Sequence, residues 1–327
     1  MCLIQRMDTY DDKYQCRLDT LKPTLEKYGV AILPSVLNEE ECTVMLSEMW
    51  DFFEHITQNW DTPLNRNNRE SWREFYKLYP MHSMLIQHYN IGHCQAVWNL
   101  RQNPKLIEPF CKLWNCESQN LLVSYDGASF SMPPETTNKG WYRNNWFHTD
   151  QSYTRNTLEC IQSWVTATDV EDGDATLAFY EGSHNSHQEF RETFNITDKE
   201  DWFKLKDDEH ESFYSSKFPI KRIKCPKGSM VFWDSRLIHC GNEAMKGRQN
   251  PKHRCVVYLC YQPRTNATSA NLKKKRKALE EMRMTSHWPC KPKLFGKKPR
   301  TYGGEIQSTT PIPPPILSEL GKKLSGF

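Results

Sequence analysis

The sequence predicts an α+β protein with a mainly β core. Two observations carry this. Amphipathic helices come first in the chain, and from about residue 120 the pattern turns to short β-branched or aromatic runs broken by Gly, Asp, Asn or Pro. The chain has 327 residues, 38% of them hydrophobic and 12% aromatic, enough to bury a sizeable core without staples.

The elements follow in order. "YGVAILPSVLNEEECTVMLSEMWDFFEHI" opens with a short strand, Val30 to Leu33. Asn38 then has the side chain of a helix N-cap, and Glu41 three residues on completes a capping-box-like start. Met45, Leu46, Met49, Trp50, Phe53 and Ile56 recur at helical spacing behind it. "NPKLIEPFCKLW" (103–114) is a second amphipathic helix. "NLLVSYDGASF", "ECIQSWVTATDV", "DATLAFYEG", "GSMVFW" and "RCVVYLCYQP" are strands. Residues 185–217 are polar and acidic and form an inserted excursion, anchored by Phe190, Trp202 and Phe203. Lys273 to Met284 is a basic helix, and "STTPIPPPILSELGKKLSGF" favours extended backbone at its prolines.

Charge and cysteine content narrow the classes. No run approaches the ~20 apolar residues of a membrane span. The first residues, "MCLIQRMDTYDDKYQC", lack an apolar leader core, so no secretory signal is expected. The 12 cysteines include no Cys-x-x-Cys; the sequence predicts reduced, mostly buried thiols in an intracellular protein, cytoplasmic or nuclear. Residues 271–300 hold eleven Lys/Arg against two acids, a local +9; with a total of +3 the remainder carries −6. A mildly acidic body thus bears a basic C-terminal segment, available as a solvated face, an address tag, or a contact for nucleic acid or another anionic partner.

The chemistry concentrates in "RNNWFHTDQSYTR" (143–155). In an extended strand residues i and i+2 share a face, so His148 and Asp150 project together. They supply two members of a two-His-one-carboxylate set, which holds Fe(II) on one face and leaves positions open. Alone the pair is also an ordinary polar strand pair. A third ligand is offered 91 residues later by His239 in "KGSMVFWDSRLIHCGN", after an apolar strand. Arg254, opening the next strand, is either a strand-edge ion pair or a fork for a carboxylate. His184 and His187 in "GSHNSH" compete for the metal, but Gly182-Ser183 makes a turn role the simpler one. Tyr125, Trp146 and Tyr153 serve as core packing or as pocket lining.

In this order these segments resemble the phytanoyl-CoA dioxygenase-like branch of the Fe(II)/2-oxoglutarate oxygenases, over most of residues 25–265. "FHTDQSY" resembles the family's His-x-Asp strand. "QSWVTATDV" resembles the next core strand, whose Trp, here Trp164, borders the 2-oxoglutarate pocket. "LAFYEGSHNSH" resembles its Pro-Gly-Ser-His turn, with Glu181 in place of Pro, and the distal-His segment carries Cys240 where a small residue is common. The resemblance implies a double-stranded β-helix, a cupin-like jelly roll flanked by N-terminal and inserted helices. It implies an oxygenase domain over 1–265, with helical support at about 20–119 and the jelly-roll core at about 120–265, followed by a basic extension with a Pro-rich tail over 266–327. It implies Fe(II) held by His148, Asp150 and His239, 2-oxoglutarate anchored by Arg254 beside Trp164, and O2 as oxidant. Asp150 argues for hydroxylation, since halogenating relatives lack that carboxylate. The alternative is a non-catalytic metal-binding jelly roll whose basic segment binds nucleic acid or an acidic partner.

Overall fold

The computed structural model describes residues 12–81, 84–299 and 301–327; the N-terminal leader reading and Arg300 lie outside them. Helix α1 (Leu21–Tyr28) passes into strand β1 (Val30–Leu33) through Gly29, whose φ of 78° is the left-handed cap conformation that glycine adopts freely. A Cβ there would lie 2.7 Å from His184 Nδ1, so the joint admits nothing larger. Helix α2 (Glu39–Thr57) starts as its sequence predicts. Asn38 Oδ1 accepts the Glu41 N–H and the Glu41 carboxylate accepts the Asn38 N–H, both at 2.8 Å. Helices α3 (Gln95–Arg101) and α4 (Pro104–Trp114) complete the N-terminal support.

The strands are β2 (Leu121–Val123), β3 (Ala128–Ser131), β4 (His148–Thr149), β5 (Ile161–Thr166), β6 (Thr176–Tyr180), β7 (Phe203–Lys204), β8 (Ile220–Arg222), β9 (Met230–Asp234), β10 (His239–Asn242), β11 (Arg254–Tyr258) and β12 (Tyr261–Pro263). Between them lie helices α5 (Pro134–Thr137), α6 (His187–Thr193) and α7 (Asp208–Ser215); after them come α8 (Ser269–Glu280) and α9 (Glu319–Leu324). One sheet has the order β1-β9-β5-β11-β3, the second β7-β4-β10-β6-β8, and the strand pairs in both are antiparallel. Ile32, Trp164, Val231, Trp233 and Val256 of the first sheet meet Leu177 and Phe179 of the second in one buried cluster. Two antiparallel sheets face to face over an apolar interior make the predicted jelly roll.

Several details depart from the sequence reading. The core does not begin near residue 120: β1 is an edge strand of the first sheet, Val30 opposite Trp233. A four-residue apolar run carries no signal naming a partner 200 residues away. "NLLVSYDGASF" is two strands, not one. β2 pairs with β12 in a separate two-stranded sheet, and the chain turns at Gly127, where a Cβ would lie 1.8 Å from the Ile86 carbonyl oxygen. The inserted excursion is clamped on the outer face of the second sheet by Phe190, with Phe203 packed beside it, but Trp202 is no anchor, being 53% exposed. The proline tail ends in the unforeseen α9. The described cysteines are all free thiols, and no described helix is long and apolar enough to cross a membrane.

The C-terminal extension lies against the body. Thr285 and Tyr125 exchange hydrogen bonds at 3.0 and 3.1 Å, and the Cys290 N–H donates to Gln262 at 3.1 Å. Trp288 is buried and Tyr302 stacks on Tyr79. Within the basic helix α8, Lys273, Lys274 and Lys277 are exposed, but Lys275 is buried, with Nζ donating to the Val123 carbonyl and lying 4.0 Å from the Tyr125 ring centre. Burial lowers its pKa to about 7, with Arg101 pushing the same way and Asp126 opposing. The unfolded chain titrates near pH ~10.4. Between these values the unfolded state binds the extra proton, so this lysine makes stability rise as pH climbs from about 7 towards about 10. Lys275→Met is therefore expected to melt above the wild type at pH 6.5 and to lose much of that advantage by pH 9.5. A gap independent of pH would contradict a proton-linked cost at this position.

Candidate metal centre and co-substrate pocket

The two histidines of the site meet across strands β4 and β10, where His148 stands opposite His239 in register. Paired residues in an antiparallel ladder share a face, so both imidazoles point into the jelly roll. β4 is only two residues long, and Asp150 lies just beyond it. Its direction is kept by the backbone: the N–H groups of Asp150 and Gln151 both donate to the Ser235 carbonyl at 3.0 Å. The result is a compact set. Asp150 Oδ1 is 3.5 Å from His148 Nε2, and Oδ2 is 3.2 Å from His239 Nε2. One ligand atom from each of the three lies within 4.8 Å of the others, and all three side chains are buried.

The imidazoles are oriented for metal binding. His148 Nδ1 donates to the Trp146 carbonyl at 3.3 Å and His239 Nδ1 to the Leu237 carbonyl at 3.0 Å. A proton fixed on Nδ1 leaves the Nε2 lone pair facing the carboxylate, which is the ligand form of neutral histidine. Trp146 stacks on His148 at 4.6 Å, fixing the ring plane. Burial lowers the His148 pKa, against the pull of Asp150, and so favours the neutral ring. Burial works to raise Asp150, but the neighbouring imidazoles of His287, His148 and His239 outweigh it and hold the carboxyl well below its usual range. The site therefore combines an ionised carboxylate with two imidazoles, a donor set suited to a divalent cation such as Fe(II).

Gln162 Nε2 donates to Asp150 Oδ2 at 2.7 Å from strand β5. The sequence reading missed it. The period-two face that carries Trp164 also carries Gln162, so the signal was present.

Arg254 sits at the start of β11, 6% exposed. Nε donates to Ser129 Oγ at 2.8 Å and Nη1 to the Ala175 carbonyl at 2.6 Å, with the guanidinium 5.8 Å from the Trp164 ring centre. Among the described residues no carboxylate lies within ion-pair distance of it, whereas Arg248 is held by Glu135 and Asp174. A buried cation without an anionic partner is costly, which makes a bound carboxylate its natural complement. Tyr258, four residues along the same strand, is a neighbour of Arg254. A narrow cleft opens beside Arg254, lined by Tyr79, Ser131, Thr168 and Val170 together with Asp169 and Asp174.

The rival ligands are occupied elsewhere. His184 Nε2 donates to the Glu26 carbonyl at 2.9 Å and His187 Nε2 to the Ser152 carbonyl at 3.1 Å. His253 turns from the interior and packs on Trp50 and Trp72. Tyr125 and Tyr153 are buried packing residues, whereas Trp146 lies at the site.

Comparison with known proteins agrees with this geometry. Residues 25–245 match the model of the family described as phytanoyl-CoA dioxygenase (PhyH). The chain is 26% identical over 210 residues to Ava biosynthesis cluster protein O of Aspergillus versicolor, an alignment spanning 62% of this chain and 65% of that relative. Among solved structures, a hypothetical protein of Escherichia coli superposes with a TM-score of 0.58 at 12% identity, over 96% of this chain and 85% of that one. The GlcNAc Inducible Gene 2 protein of Candida albicans gives 0.52 at 14% identity, over 82% and 70%. At such identities the two structures speak for the fold alone.

Proposed function

Because the chain belongs to the phytanoyl-CoA dioxygenase family of Fe(II)- and 2-oxoglutarate-dependent oxygenases, we propose that it hydroxylates a C–H bond, with the iron held by His148, Asp150 and His239. The observation that carries this reading is the convergence of two imidazoles and one ionised carboxylate at a single buried point. Iron bound there supplies the oxidising chemistry, drawing on 2-oxoglutarate and O2. The chain's own groups do the rest. His148 and His239 present Nε2 lone pairs, and Asp150 offsets two units of cationic charge by one. Gln162 holds the carboxylate's second oxygen, leaving the first to bind. Arg254, with Ser129 and Trp164 fixing its plane, receives the distal carboxylate of 2-oxoglutarate. The buried Trp233 ring, 5.7 Å from the His239 ring, limits water around the reacting centre.

The test of hydroxylation is isotopic. Protein loaded with Fe(II) and 2-oxoglutarate is incubated with a metabolite extract under ¹⁸O2. A product gaining one heavy oxygen atom is expected; turnover that yields only desaturated, rearranged or epimerised products would overturn hydroxylation. Gln162 makes a separate prediction. Gln162→Leu frees Asp150 to rotate, and metal affinity is expected to fall about 10–100-fold, as for lost outer-shell partners elsewhere. Titration with Co(II), followed by its visible absorption, measures it, and an unchanged affinity would remove Gln162 from the site.

A further inference from the structure

Two anomalies in the packing meet at the metal centre, and both come from segments outside the sheet positions that carry its ligands. The first is Trp202, at the end of the insertion. Its φ is +73°, a conformation that costs a bulky side chain energy and is retained where surroundings or function demand it. The strain does not serve burial, since the residue is 53% exposed, yet the ring lies 5.9 Å from the His148 ring. The β4–β7 register pairs His148 with Lys204 and Thr149 with Phe203, so Trp202 directly precedes the strand that pairs with the His148 strand. The second anomaly is His287, carried in by the C-terminal extension. Its Nε2 is buried and has no hydrogen-bond partner. Burial lowers its pKa, and Asp150, Asp201, His239 and His148 are the charged or titratable groups near its ring. The segment is held there by the Thr285–Tyr125 and Cys290–Gln262 hydrogen bonds, and by the Cys160 thiol donating to the His287 carbonyl at 3.8 Å.

His287 Nε2 is one of several buried side-chain atoms without a partner and is singled out by its neighbours, while a strained, exposed tryptophan is uncommon on a surface with nothing to bind. Resting on the oxygenase reading, we infer that Trp202 and His287 form the substrate wall facing the triad, taking a small molecule with a planar apolar body and an oxygen acceptor. The body lies against the Trp202 ring. The acceptor, a carbonyl or hydroxyl oxygen, receives the His287 Nε2 proton. The C-terminal extension is then part of the active site, although it lies outside the family-matched residues.

The probe is 6-propionyl-2-dimethylaminonaphthalene, a neutral planar aromatic ketone whose emission reports a dry site. It is titrated into the full chain, with and without Zn(II), and into Trp202→Gly, Trp202→Phe, His287→Leu and His287→Gln. Wild type is expected to bind it. Trp202→Gly and His287→Leu should each bind about three- to tenfold more weakly, the range for one aromatic contact or one hydrogen bond. Trp202→Phe, which keeps a ring, and His287→Gln, which keeps an amide N–H, should recover part of the loss. Melting temperature is the second readout. Removing an unpaired buried nitrogen or a strained φ should leave it unchanged or raise it by about 2 °C. No probe binding by wild type, equal binding by all variants, or melting lowered by several degrees in both Trp202→Gly and His287→Leu would each overturn the inference. These measurements are made apart from catalysis: a chain that binds the probe but neither metal nor 2-oxoglutarate would refute the oxygenase reading and leave the wall standing.

Discussion

Asp150→Ala is expected to lower Fe(II) affinity by more than about 100-fold and to abolish 2-oxoglutarate consumption. Loss of outer-shell partners alone costs up to that much, and this change removes a ligand together with the anionic group of the set. It also leaves two buried imidazoles 4.4 Å apart with no negative charge between them. His148→Ala and His239→Ala should behave alike, while His184→Ala and His187→Ala should keep the metal, because their Nε2 atoms are engaged with backbone carbonyls. Metal content after gel filtration, read by atomic emission, checks all five. Normal iron in Asp150→Ala would break the assignment.

The second large effect is at Arg254. Alanine there removes the charged partner of a buried carboxylate, a loss of about 2–5 kcal/mol. At about 1.4 kcal/mol per tenfold, 2-oxoglutarate should bind roughly 30- to 4,000-fold more weakly. Metal affinity in the absence of 2-oxoglutarate should stay near wild type, since Arg254 bonds Ser129 and Ala175 and no triad member. Trp164→Ala should weaken 2-oxoglutarate less, because it removes one face of the guanidinium's support and no charge. Anaerobic calorimetry on the Zn(II)-loaded protein separates these outcomes. A normal 2-oxoglutarate affinity in Arg254→Ala would point to another anchor, with Tyr258 the adjacent group.

The site was legible in the sequence where chemistry and strand ends coincide. His148 and Asp150 stand two apart in an aromatic strand, and His239 follows an apolar strand. Period two pairs His148 with Asp150, and the family resemblance was needed to add His239 as the third ligand and to give Arg254, which opens another strand, its expected role. The folding of helix α2 was equally readable, because a capping box is a local interaction. What the sequence left open is tertiary. β1 has no pattern that names β9 as its neighbour, and the bend at Gly127 depends on Ile86, far away along the chain. Trp202 looked like an anchor because tryptophans in acidic loops usually bury; its left-handed backbone turns it to the surface instead. Lys275 looked like its exposed neighbours until docking of the extension buried it. His287 lacks any periodic context, and only the docked extension brings it to the triad.

The most direct measurement is succinate release from 2-oxoglutarate by the purified chain under air, with Fe(II) added or withheld. The account predicts succinate that requires both Fe(II) and O2, continues at a slow uncoupled rate without any other substrate, and disappears in His239→Ala. A non-catalytic metal-binding module would bind the ion and release none. Absence of Fe(II)-dependent succinate from wild-type protein shown to hold one iron per chain, or undiminished release from His239→Ala, would contradict the account.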